Sequence, residues 1–194
     1  MQNTSNTTNT QGTMMRAKLG TKDYALMAQA AALVAVCSWI SIPAAVPFTM
    51  QTFAVFLTVG LLGGRRGTIA VAVYLLLGAV GLPVFSGFSG GLGYMMGPTG
   101  GYIIGFLFSA LVMWAAEKFI GKSTPVLVAS MVAGLLVCYA FGTAWFMVVY
   151  SKGNEAIGLG AALSMCVIPY IIPDALKIML AALLTRRLRK HVPN

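Results

Sequence analysis

Charge-free apolar stretches separated by short polar clusters make up most of this chain. No Asp, Glu, Lys or Arg occurs in 24–64, 67–116 or 123–151. At 1.5 Å per residue, a bilayer core of ~30 Å is crossed by about 20 helical residues. Each of the first two stretches therefore has room for two spans and a turn. Pro43 and Pro47 divide the first, and the glycine-rich run 81–101 divides the second. The pattern predicts an all-α fold of six helical spans, at 23–41, 49–64, 67–81, 100–118, 125–150 and 170–188, with ends uncertain by the usual few residues.

Composition agrees with that reading. Of 194 residues, 58% are hydrophobic and 9% charged, and mean hydropathy is +0.84. Soluble domains use about 25% charged residues to cover their surface, so this exterior belongs in lipid. The chain is read as one integral membrane domain at 23–190, with an Asn/Thr-rich disordered tail at 1–22 and a short tail at 191–194.

The formal net charge of +9 would also fit a nucleic-acid partner, so the placement of the charges decides its meaning. The basic residues cluster at Arg16, Lys18 and Lys22, at Arg65 and Arg66, at Lys118 and Lys122, and at Arg186, Arg187, Arg189 and Lys190. Six spans put all four clusters and both termini on one side, which the positive-inside rule makes the cytoplasm. These are juxtamembrane groups and form no continuous face. Nucleic acid is therefore excluded as a partner, membrane lipids surround the spans, and self-association stays open.

Candidate chemistry narrows by elimination. Cys37, Cys138 and Cys166 stand alone in apolar segments, without a CxxC or histidine partner, so neither a metal site nor a disulfide is expected. The single histidine is His191 in the basic tail, which excludes hydrolase mechanisms that need an intramembrane histidine. Gly121-Lys122-Ser123 lacks the first glycine and the strand of a phosphate-binding loop, and the glycines after Gly87 do not complete a dinucleotide fingerprint. No catalytic residue, cofactor or nucleotide site is encoded, and active transport by this chain would need an ATPase on another.

Of the four acids, Asp23, Glu117 and Glu155 are assigned to loops. Asp174 is different: it lies in an apolar stretch with Lys177 three residues on, about 18 and 14 Å along a helix from the cytoplasmic cluster at Arg186. An i,i+3 spacing puts both on one helix face. Ionisable groups at membrane depth are costly and point to a functional site; the competing reading is an ion pair that only locks the last helix to its neighbours. A neutral or zwitterionic solute with an N–H group for Asp174 and a carboxylate for Lys177 would satisfy both without net burial of charge. Two outward-facing segments converge on this pair, the loop 43–49 and the run 81–91. In the second, glycines permit close backbone approach, aromatic side chains offer apolar walls, and Ser86 and Ser89 are polar points.

These segments resemble the BioY family, the biotin-binding S components of energy-coupling-factor (ECF) vitamin transporters. The resemblance rests on Val46-Pro47-Phe48-Thr49-Met50-Gln51-Thr52 at the start of the second span and on Gly63 and Gly67 around Arg65-Arg66. It continues in Tyr74-Leu75-Leu76-Leu77-Gly78, Gly81-Leu82-Pro83-Val84-Phe85, Gly97-Pro98-Thr99-Gly100-Gly101-Tyr102 and Asp174-Ala175-Leu176-Lys177. It implies a six-helix S-component fold in the cytoplasmic membrane of a prokaryote, capture of biotin from outside, no catalysis, and energy supplied by a separate ATPase pair through a transmembrane scaffold subunit. Asp174, Lys177 and the stretch Ser89, Gly90 and Gly91 inherit pocket roles from the family. In the role assignment adopted on this basis, Asp174 accepts a ureido N–H, Lys177 helps hold the valerate carboxylate, Phe85 with Tyr102 packs the thiophane ring, and Gln51 and Ser89 complete the polar contacts. The family commonly has glycine where Pro173 stands, and some members have asparagine in place of Ser89. The scaffold is expected on the first helix, where Ala28 with Ala32 and Ala31 with Ala35 form small-xxx-small pairs. An S component for thiamine or riboflavin, or a structural membrane subunit, are the alternatives.

Overall fold

A computed structural model describes residues 19–44, 46–152 and 157–190. Six helices carry the bundle: α1 (Thr21–Trp39), α2 (Gln51–Leu62), α3 (Gly64–Val80), α5 (Gly100–Phe119), α6 (Thr124–Tyr150) and α8 (Ile171–Leu188). Each falls within a few residues of a predicted span. Long runs of apolar helix-forming residues between glycine and proline breaks leave the backbone no other way to satisfy its hydrogen bonds in lipid. Among the described residues, Gly100–Phe119, Thr124–Tyr150 and the run Leu159–Leu188 are long and apolar enough to cross a membrane. The 12 residues of α2 reach only about 18 Å. It stops at Gly63, whose φ of 80° turns the chain into α3.

Shorter elements escaped the hydropathy pattern. Ser41–Ile42 (β1) pairs antiparallel with Phe48–Thr49 (β2), α4 covers Leu92–Met95, and α7 covers Leu159–Cys166. Single 3-10 turns lie at Ser86–Phe88 and Ile168–Tyr170. None is long enough for a periodic signal, and α7 merges with α8 in one apolar run. Pro173 falls in the first turn of α8, where backbone donors lack intrahelical partners and a missing N–H costs little.

Two of the three acids assigned to loops are helical. Asp23 caps α1, its Oδ2 accepting the Gly20 N–H at 2.9 Å while its Oδ1 pairs with Arg66 at 3.2 Å. Glu117 ends α5, accepts the Gly64 N–H at 2.6 Å and pairs with Lys122 at 3.1 Å. Carboxylates suit the N-terminal ends of α1 and α3 because free amides point at them. Glu155, His191, the 191–194 tail and all of the 1–22 tail except 19–22 lie outside the described residues.

Glycines let α5 and α6 approach each other closely. A Cβ at Gly101 would stand 2.2 Å from Trp145 Cβ, and one at Gly142 2.3 Å from Tyr102 Cδ1. Lipid offers apolar side chains no hydrophobic penalty, so such close approach is what dispersion needs to hold helices together. Helix α2 packs on α8 and α3, and α1 on α3 and α2. Ala31 and Ala35 belong to the resulting core, whereas Ala28 and Ala32 face outward.

Candidate functional site

At the end of the bundle remote from Arg186 and its neighbours, α2, α5, α6 and α8 diverge around a cavity of about 610 Å³ including its open mouth. Asp174 and Lys177 enter it from the first two turns of α8 and are 4% and 5% exposed, which in lipid demands full pairing. The Lys177 ammonium donates to Asp174 Oδ1 at 2.8 Å and to the Thr49 carbonyl at 2.7 Å, and it stands 4.0 Å from the Phe48 ring centroid. Asp174 Oδ2 accepts the Tyr139 hydroxyl of α6 at 2.6 Å. The β1–β2 hairpin is thus tied to α8 through Thr49 and Phe48. It is tied again by Tyr170, which stacks on Phe48 and donates to the Val46 carbonyl.

Gln51, at the start of α2, also lines the cavity, and its amide donates to the Tyr74 hydroxyl at 2.5 Å. Tyr102 forms part of the opposite wall with its hydroxyl held by Thr143 at 2.9 Å. Ile103, Phe106 and Leu135 make the floor apolar. Polar groups gathered at one end of an otherwise apolar cleft are how a protein orients a small amphipathic ligand.

Four expected residues do not reach this cavity. Phe85 is fully buried beneath it, its ring seated on Gly78, edge-on to Tyr74 and stacked on Tyr94 at 5.7 Å. Ser89 turns the loop, its carbonyl accepting the Phe85 N–H at 2.9 Å. Gly90 passes so close to Leu82 that a Cβ would stand 2.2 Å from its carbonyl oxygen, and Gly91 donates to the Gly78 carbonyl at 2.6 Å. The glycines let the loop fold on itself, and Ser86 and Tyr94 are what it presents to the cavity.

Tyr139 was missed, since one hydroxyl in a long apolar span carries no signal until α6 is placed against α8. Asp174 and Lys177 touch at 2.8 Å, so the two enter the cavity wall as one joined polar feature.

A model of the BioY family matches residues 7–194. The chain belongs to the BioY family. It is 45% identical over 161 residues to the biotin transporter BioY of Thermotoga maritima, covering 82% of this chain and 90% of that protein. It is 36% identical over 169 residues to the probable biotin transporter BioY of Pyrococcus horikoshii, covering 87% and 96%. Among solved structures, the S component for biotin from an ECF-type ABC transporter superposes with a TM-score of 0.77 at 28% identity, covering 87% of this chain and 91% of that one. BioY proteins are membrane-embedded transporter subunits, and this chain is a membrane protein with no enzymatic role.

Proposed function

We propose that this chain captures biotin from outside the cytoplasmic membrane and delivers it for uptake driven by a separate ATPase pair through a scaffold subunit. The observation that carries the reading is the buried Asp174–Lys177 pair facing a largely apolar cavity, in a chain of the BioY family. Biotin joins a polar cyclic urea to an apolar sulfur-containing ring and a valerate tail, which matches a cavity polar at one end and apolar along its walls. Because the pair acts on one ligand end, Asp174 accepts a ureido N–H while Lys177 donates to the ureido oxygen, and Tyr102 and Phe106 flank the apolar ring. Phe85 and Ser89 to Gly91 shape the loop behind Tyr94 and Ser86.

Both termini lie in the cytoplasm, on the side of the Arg65, Arg66 and Arg186 clusters, and lipid surrounds the spans. The scaffold meets the exposed small-residue stripe of α1 at Ala28 and Ala32. Titration of detergent-purified protein with biotin, thiamine and riboflavin tests the reading. Saturable binding of biotin alone is expected, retained when the valerate carboxylate is masked as an amide. Binding of either other vitamin in place of biotin would overturn it.

A further inference from the structure

We propose that Tyr74 is a positioning residue for ligand binding: it fixes the Gln51 amide so that the amide oxygen faces the cavity as an acceptor for a ligand N–H. This deepens the biotin reading and rests on it. Tyr74 is fully buried and lines no part of the cavity, so its effect on a ligand runs through Gln51. Its hydroxyl oxygen is 3.1 Å from the Val84 carbonyl oxygen, and a carbonyl has no proton to give, so the proton in that contact is the phenol's. A phenol has only one. Toward Gln51, 2.5 Å away, the Tyr74 oxygen therefore accepts, and Gln51 must turn its NH2 group to it. The orientation is the one in which Gln51 Nε2 faces Tyr74 while the phenol proton goes to the Val84 carbonyl.

The amide oxygen is what remains for the cavity. Among the described residues, the sealed side-chain polar atoms without a partner are the Thr58 and Thr185 hydroxyls; the Gln51 oxygen is not one of them. It makes no hydrogen bond within the described chain and Gln51 lines the cavity, so that oxygen opens onto it. Val84 is itself held in place, its carbonyl accepting the Ser38 hydroxyl of α1 at 2.6 Å. Flipping the amide would bring its oxygen against a phenol oxygen whose proton is committed elsewhere. Gln51 and Asp174 then offer acceptors and Lys177 a donor, the complement of a cyclic urea with N–H groups on both sides of its carbonyl.

A double-mutant cycle tests this, with biotin affinity and thermal midpoint measured on purified wild type, Tyr74→Phe, Gln51→Ala and the double variant. Each single variant should bind about tenfold more weakly or worse, and the double no more weakly than Gln51→Ala, because Tyr74 acts only through the amide. Biotin methylated on its ureido nitrogens is a second probe. Wild type should reject it, and Gln51→Ala should discriminate less. Unchanged affinity in Tyr74→Phe, additive losses in the cycle, or equal binding of the methylated ligand by wild type would overturn the assignment while leaving biotin capture intact. Failure of wild type to bind biotin would instead overturn the functional reading and this assignment with it.

Discussion

Lys177 donates to Asp174 and to the Thr49 carbonyl and stands over the Phe48 ring, which leaves one ammonium proton for a ligand. Removing one partner from such a group is costly because the charge stays buried without compensation. Asp174→Asn keeps the shape but leaves Lys177 as an unpaired cation. It should lower stability by about 3 kcal/mol and abolish biotin binding, read by thermal unfolding in detergent and by ligand titration. Unchanged stability would mean that the pair contributes nothing to the bundle. The pair itself was legible in the sequence because charge is so scarce there that two ionisable groups at depth stand out. Tyr139 was not, because its significance comes from a partner 35 residues away.

At the scale of elements, the cavity wall depends on how closely α5 and α6 approach. Gly142 touches Tyr102, so a methyl group there has to displace the ring that lines the cavity. Gly142→Ala should cost about 1–3 kcal/mol as overpacking and weaken biotin binding together with stability. A thermal midpoint equal to wild type would show that the interface relaxes without strain. The six long helices were visible as charge-free stretches between breaks, whereas β1–β2, α4 and α7 were not. A two-residue strand is specified by its partner, and a helix of four or eight residues shows too little periodicity to separate from its flanks.

For the whole molecule, the orientation of α1 decides which of two similar motifs is exposed on the bundle surface. Ala31 and Ala35 face the core and Ala28 and Ala32 face outward, although both pairs have the same spacing. Leu at positions 28 and 32 should abolish co-purification with the scaffold subunit and spare biotin binding. Leu at position 31 should instead lower the thermal midpoint by overfilling the core. Scaffold recovery by the first variant equal to wild type would place the docking face elsewhere.

Membrane residence, the number and approximate limits of the long helices, and the depth of Asp174 and Lys177 follow from composition and the order of residues, because a bilayer penalises charge and unpaired backbone at every position. Which side of a helix faces inward, that Phe85 supports the cavity where Tyr94 and Ser86 line it, and that Tyr74 orients Gln51 depend on contacts between residues distant in the chain. One-dimensional pattern carries no record of those contacts. They arise when glycine-mediated packing brings helix faces together and each buried polar group takes the partner that the bundle places within reach.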